Sequence, residues 1–441
     1  MRKKEIIKTL IREFHNTELP QIIRRHKEIP INSGKIISII GPRRSGKTYF
    51  LYQTMDTLTK EGTDKRKILY INFEDERINL KAEELELILQ SYRELYPDIN
   101  LSETYFFFDE IQNIDNWQRF LRRLYDSVSK KIFITGSNSR LLSQEIATSL
   151  RGRTLAEEIM PLSFNEFLEF KNLKIVLPQD LYDTAIRAKL LNYFKEYLIW
   201  GSFPEIIFQP ENIKMRILQE YFNVMIYRDI IERYSIRDTF VLKYFIKRLA
   251  ETVTKPVSIH KIYNDLKSQN IRISKNQLYE FLEYFENAFL IRQIRKKKKS
   301  VIKEELTEKK VYFIDNGILR AIKVFEGEDY GFLLENLIFR ELYREKRDLY
   351  FYKERRECDF LIEEKIPIQV CYELRDEETK KREIEGLIDC MRYYGVKEGT
   401  IITLNDEDQF NMNGHEIKII PAYKWLLREG DVFPQNKISL K

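Results

Sequence analysis

The stretch from Lys35 to Leu58 constrains this chain more than any other. An apolar run, KIISII (Lys35–Ile40), leads into GPRRSGKT (Gly41–Thr48) and then into a helix-patterned segment, Tyr49–Leu58. Strand, glycine loop and helix in this order are the setting in which G-x-x-x-x-G-K-[ST] cradles phosphates. Gly41 and Gly46 let backbone N–H groups turn inward, Lys47 can reach the β- and γ-oxygens, and the Thr48 hydroxyl can hold Mg²⁺. Gly41, Pro42, Arg43, Arg44, Ser45, Gly46, Lys47, Thr48 and Tyr49 are therefore assigned to ATP.

A second signal stands roughly 60 residues further on, as this fold class expects. YFFFDE (Tyr105–Glu110) is an aromatic strand ending in two acids. Asp109 would hold the Mg²⁺ through water, and Glu110 would polarise the attacking water. The apolar strand Lys131–Thr135 ends in Ser137 and Asn138, which could sense the γ-phosphate. Gly136–Ser139 is also good turn chemistry, so a plain turn is the alternative. SLRGRT supplies Arg151 and Arg153, either as charge stabilisers reaching a neighbouring subunit's nucleotide or as a solvated surface pair.

Strands at Ile68–Phe73, Tyr105–Asp109 and Lys131–Thr135 alternate with helices, one of them around Lys81–Leu95, which predicts a parallel sheet covered on both faces. In the helix from Trp117, a stripe of Trp117, Phe120, Leu121, Leu124 and Val128 faces inward. The chain has 441 residues, room for two or three domains. Five segments are expected: helical 1–30, the ATPase core 31–160, a helical lid 161–245, a winged-helix module 246–325 and an α/β module 326–441. The winged helix rests on helices at Ser258–Asn270 and Ser274–Asn287, with Ser274 as N-cap, and on strands at Ala288–Ile294 and Lys309–Asp315.

Charge is concentrated rather than spread. The net formal charge is +6, and Ile291–Lys310 alone has nine basic residues against three acidic ones. Arg292, Arg295, Lys296, Lys297, Lys298 and Lys299 form the tip of the expected β-ribbon, a pattern suited to DNA phosphates without sequence reading. Against this, Glu280, Glu283 and Glu286 lie on the outer face of the helix that would enter a groove. A solvated loop is the plainer reading of the lysine run. The three cysteines, Cys358, Cys371 and Cys390, have no zinc-ligand spacing. With no signal-peptide pattern and no apolar run of membrane-spanning length, a soluble cytoplasmic protein is expected.

The chain resembles the archaeal and bacterial P-loop ATPases related to the AAA+ and STAND classes that carry a C-terminal restriction-endonuclease-like domain. The resemblance rests on GPRRSGKT, YINFEDER, FFFDEIQNIDNW, FITGSNSRLLS, SLRGRT, PLSFNEFL, GSFPEI, YRDIIERY, VYFIDNGI and GFLLENLIFREL, and so covers nearly the whole chain. It implies an α/β P-loop core, a helical lid, a winged helix and a nuclease-fold domain. Nucleases of that fold need an acid on a helix, an Asp on a strand and an acid–x–Lys on the next. Glu335 and Asp359 fit the first two places, but the third reads Gln369–Val370–Cys371. Gln369 could offer a metal its carbonyl oxygen, yet Cys371 cannot supply the lysine's charge, and this departure from the family's pattern points to a retired site. An oligomeric ATPase acting on DNA is the leading expectation. The alternatives are a STAND-like switch acting on protein partners and an ATP-regulated nuclease.

Overall fold

The computed structural model describes residues 2–137, 150, 152–298, 304, 308–323 and 330–427. It divides into two compact units, Met1–Pro161 with Asn287–Phe289, and Leu162–Glu286 with Leu290–Lys441.

The first unit begins with α1 (Arg2–Asn16). β1 (Ile36–Ile40), α2 (Lys47–Lys60), β2 (Ile68–Asn72), α3 (Glu86–Leu95), β3 (Tyr105–Asp109), α4 (Trp117–Ser127), β4 (Ile132–Gly136) and β5 (Thr154–Glu158) follow. The helix expected over residues 1–30 ends at Asn16, because Pro20 and the extended chain after it cannot continue the turn. All five strands are parallel, in the order β2-β3-β4-β1-β5. Their period-2 alternation builds two cores. Phe106, Phe108, Ile132 and Ile134 join a cluster with α1, α3 and α4, including Trp117, Phe120, Leu121 and Leu124 of the predicted stripe. Phe107, Phe133, Ile37 and Ile39 join α2 on the other face. There Phe107 and Phe133 stack with ring centroids 4.6 Å apart.

The second unit opens with helices, α5 (Phe164–Phe170), α6 (Thr184–Trp200), α7 (Glu211–Val224), a π-helix (Met225–Glu232) and α8 (Thr239–Glu251). β6 (Pro256–Val257), α9 (Ile259–Ser268), α10 (Lys275–Asn287), β7 (Ile291–Lys296), β8 (Lys309–Phe313), α11 (Asn316–Ile322) and α12 (Gly331–Arg344) come next. The chain then forms β9 (Leu349–Lys353), β10 (Glu357–Ile362), β11 (Ile366–Val370), α13 (Glu377–Tyr394), β12 (Glu398–Thr403), β13 (Asp408–Met412), β14 (His415–Pro421) and α14 (Ala422–Leu426). Ser274 caps α10 as expected: its Oγ accepts from Gln277 N at 3.1 Å while its own N–H donates to Gln277 Oε1.

One nine-stranded sheet, β13-β14-β12-β11-β10-β9-β7-β8-β6, runs through this unit. It departs from the picture of a free β-ribbon. β7 pairs in parallel with β9, Arg295 opposite Tyr350 and Lys296 opposite Phe351, so the ribbon is an interior part of the sheet.

Three sequence signposts without an obvious role meet in a buried polar network here. Asp315, from VYFIDNGI, caps α11 through Gly317 N and accepts from Ser202 N of GSFPEI at 2.9 Å. Arg340, from GFLLENLIFREL, donates to the same carboxylate at 2.9 Å and lies over the Tyr197 ring. A Cβ on Gly201 would fall 1.8 Å from Asp315 Oδ1, so only glycine admits the contact. These residues hold helices to the sheet, which is why their pattern reads as specific without pointing to chemistry.

Candidate functional site

β1 is buried along its length and ends where the loop Gly41–Gly46 turns into α2. Arg44 and Gly46 have φ of 65° and 95°, the left-handed region in which glycine is least strained. At Gly41 a Cβ would stand 2.1 Å from Ile159 O, so a side chain there would force the loop open. α2 starts at Lys47, which presents its N-terminal N–H groups and positive dipole end to the loop.

The side chains at this corner form one connected set. Lys47 is 5% exposed, and its Nζ donates to the carbonyls of Gly41 and Pro42 at 3.3 and 3.1 Å. The same ammonium lies 3.5 Å from Glu110 Oε1. Thr48 Oγ1 donates to Asp109 Oδ2 at 2.8 Å, and Tyr70 OH reaches that oxygen at 3.1 Å. Thr135 Oγ1 donates to Asp109 Oδ1 and accepts from Glu110 N–H at 2.8 Å, tying the ends of β3 and β4 together. Burial raises the Asp109 pKa above the usual carboxylate value, and the neighbouring Glu110 charge adds to this. The bonds from Thr135, Thr48 and Tyr70 oppose the rise. Glu110 itself is held at φ 51°, with its carboxylate accepting from Gln112.

Among the described residues two hydroxyls at this corner have no hydrogen-bond partner, Ser45 Oγ in the loop and Ser137 Oγ after β4, although both atoms are buried. Buried polar atoms are seldom left unpaired. A glycine cradle, a lysine, a Thr–Asp pair and two unsatisfied hydroxyls together fit a nucleotide phosphate with a divalent cation. Tyr49 is exposed beside the loop, and Arg43 pairs with Glu74 at 3.2 Å.

The expected arginines do not join this set. Arg151 and Asn138 lie outside the described residues. Arg153 precedes β5, and the parallel register of Ile36 with Thr154 puts it at the edge of the sheet opposite the loop. There its guanidinium pairs with Asp126 at 2.9 Å and packs on Tyr125. This places Arg153 within its own chain; the expected reach is to a neighbouring subunit's nucleotide.

Arg25 is a residue that sequence reasoning missed. It is nearly buried, and it donates to Ser45 O at 3.0 Å and Met160 O at 2.8 Å, clamping the phosphate loop to the end of the β5 segment. No motif surrounds it, and it sat inside a segment read as helix. Arg25→Ala would leave both carbonyls unpaired, so stability should fall by about 2–4 kcal/mol, read as a shifted denaturation midpoint. An unshifted midpoint would remove the clamp.

In the second unit, Glu335, Asp359 and Gln369 do come together, around a lysine that the sequence did not single out. Lys310 of β8 is 1% exposed. Its Nζ lies 3.2 Å from Glu335 Oε1, 2.9 Å from Glu357 Oε1 and 3.0 Å from Asp359 Oδ1. Tyr312 OH donates to Glu335 at 2.7 Å. Val370 N–H takes Asp359 Oδ2, while Gln369 accepts from Asp359 N–H and donates to Glu383. Burial alone would lower the Lys310 pKa, but Glu335, Tyr312, Asp359 and Glu357 outweigh it and hold the ammonium charged. One ammonium does not balance three carboxylates. Burial, reinforced by the Asp359 charge, pushes Glu335 up to about 8. Among the described residues no group of three or more His, Cys, Asp or Glu side chains is arranged to hold a metal ion.

The ribbon cations are mostly neutralised in place. Lys296 and Lys298 pair with Glu354 at 3.4 and 2.5 Å, and Lys297 pairs with Glu304 and Glu364 at 3.3 and 3.1 Å. Arg295 sits in the β7–β9 register, and Lys299 lies outside the described residues. No helix among the described residues is long and apolar enough to cross a membrane.

Comparison with known proteins agrees with the first unit's geometry. Residues 33–168 match the family model of an AAA domain, and residues 191–329 match a domain of unknown function, DUF8612. Among solved structures, the Aeropyrum pernix ORC1 protein in complex with DNA aligns at a TM-score of 0.30 and 10% identity, covering 73% of this chain and 91% of that one. AMPPCP-bound DnaA from Aquifex aeolicus aligns at 0.25 and 14%, covering 64% and 86%. Overlaps this slight carry no argument about partners or chemistry. An uncharacterized protein of Haemophilus influenzae is 33% identical, over 89% of this chain and 94% of its own. The uncharacterized protein MJ1544 of Methanocaldococcus jannaschii is 42% identical, over 92% of this chain and 91% of its own. The chain thus belongs to the family of MJ1544 and its Haemophilus relative, and its residues 33–168 are similar to an AAA domain.

Proposed function

We propose that this protein is a Mg²⁺-dependent ATPase whose turnover is coupled to nucleic acid. The observation that carries the first part is the 2.8 Å contact of Thr48 with Asp109 at the mouth of a glycine cradle, with Lys47 and Glu110 beside it. The N-terminal N–H groups of α2 and the loop amides would hold the phosphates, and Lys47 would leave the Gly41 and Pro42 carbonyls to meet them. Thr48 and Asp109 would hold the Mg²⁺, which supplies charge neutralisation at the phosphates. Glu110, released from Lys47 by that exchange, is placed to orient a water and accept its proton. Ser137 would donate its unsatisfied hydroxyl to the terminal phosphate. Arg153, paired with Asp126 in its own chain, would act only on a neighbouring subunit's nucleotide.

Nucleic-acid coupling is supported by the basic surplus of the chain, and non-sequence-specific binding by a homo-oligomer is the form proposed. Strand cleavage is not proposed. The acceptors that a metal would need at Glu335, Asp359 and Gln369 are already taken by Lys310, Tyr312, Val370 N–H and Asp359 N–H. Lys47→Ala tests the core of the reading: ATP affinity, followed by equilibrium dialysis, should fall at least about a hundredfold as the charge-assisted phosphate contacts are lost. Unchanged affinity would sink it.

A further inference from the structure

The second unit carries a face whose chemistry differs from that of the ribbon. Lys296, Lys297 and Lys298 of the ribbon each have a carboxylate beside them. Arg228, Arg233, Arg237 and Lys247, by contrast, are exposed, and among the described residues none of them has an ion-pair partner. All four belong to the stretch that runs from the π-helix into α8. Between residues 225 and 247 five cations face two exposed acids, Glu232 and Asp238, and Asp238 is engaged in capping α8 through Val241 N–H.

Aromatic rings are interleaved with these cations. Phe240, Lys243 and Lys247 follow one another at three- and four-residue spacing, so they form one stripe along α8. Phe240 is 63% exposed. It stacks on Tyr244 at 21° with centroids 6.5 Å apart, leaving its other face open. Tyr227, on the π-helix, is also exposed, and Lys243 Nζ lies 4.5 Å above its ring, which ties the two helices into one surface. Open rings flanked by unpaired cations suit a chain that offers flat bases and phosphates alternately. A duplex keeps its bases stacked inside and cannot use the rings.

We propose that this face, centred on Phe240 with Tyr227, Arg237, Lys243 and Lys247, binds single-stranded nucleic acid, with a base stacked on Phe240 and phosphates on the flanking cations. This rests on the reading of the protein as an ATPase coupled to nucleic acid and moves the contact away from the ribbon.

The test uses the full chain and a fluorescein-labelled 20-nucleotide oligo-dT, with anisotropy read at several salt concentrations. Phe240→Ala should weaken binding about tenfold, the usual effect of losing one base–ring stack. Because the side chain is exposed, circular dichroism should show an unaltered fold. Arg237→Gln with Lys247→Gln should reduce the salt slope by about 1.4, two single-strand phosphate contacts. If the wild type binds and Phe240→Ala binds equally well, the face is wrong while the coupled-ATPase reading stands. If the wild type does not bind oligo-dT at all, this inference falls, and the coupling falls with it only if a labelled 20-base-pair duplex also fails to bind. Should Phe240→Ala instead abolish a concentration-dependent mass in light scattering and leave oligo-dT binding untouched, the face joins copies of the chain, and the inference is overturned.

Discussion

Glu110→Gln is expected to bind ATP about as well as the wild type and to hydrolyse it at least about a hundredfold more slowly, the contribution of a positioned general base. The substitution keeps the side chain's volume and an oxygen for Gln112, and it leaves the Thr135 bond to the backbone N–H intact. What it removes is the capacity to accept a proton and the negative charge that faces Lys47 at 3.5 Å. Losing that charge frees Lys47 for phosphate, so affinity should hold or rise slightly. Phosphate release measured beside equilibrium dialysis separates the two effects. Wild-type turnover in this variant would take Glu110 out of the chemistry.

The second large effect is expected far from the phosphate loop in sequence. Lys310→Met should cost about 3–5 kcal/mol, because removing the cation leaves buried carboxylates uncompensated. Lys310 meets three of them within 3.2 Å. Chemical denaturation followed through the second unit's tyrosines would read the loss, and an unchanged midpoint would show that the cluster is not an internal ion-pair lock. Glu335→Gln, a mimic of the protonated acid, should be mild by comparison. It also has a pH signature. The native state keeps this proton up to about 8, whereas the unfolded chain releases it in the ordinary glutamate range. Proton binding by the native state alone makes the wild type's stability fall as pH rises through that window. Glu335→Gln should flatten the decline.

The difference between these two sites shows what a sequence carries. The phosphate loop is local: eight consecutive residues fix the backbone, and the partner acids close a strand whose alternation is visible in YFFF. The same holds for the Trp117 stripe and the Ser274 cap, which depend on near neighbours. Lys310 lies 25 residues before Glu335 and 49 before Asp359, on a strand whose place is set by β7 pairing with β9. A lysine sought two residues after Gln369 could not be found there. Arg25 is 20 residues from Ser45 and 135 from Met160, with only the tertiary fold to join them. The setting of the ribbon was hidden for a related reason. A run of lysines reads as a free cationic tip until the sheet brings Glu354 and Glu364 alongside.

The measurement that tests the central claim most directly is steady-state phosphate release from ATP by the full chain, with Mg²⁺ and with EDTA, for the wild type and for Lys47→Ala. Turnover that requires Mg²⁺, vanishes in Lys47→Ala and rises when oligo-dT is added is the predicted result. Release that persists in EDTA or survives Lys47→Ala would contradict an ATPase built on Gly41–Thr48.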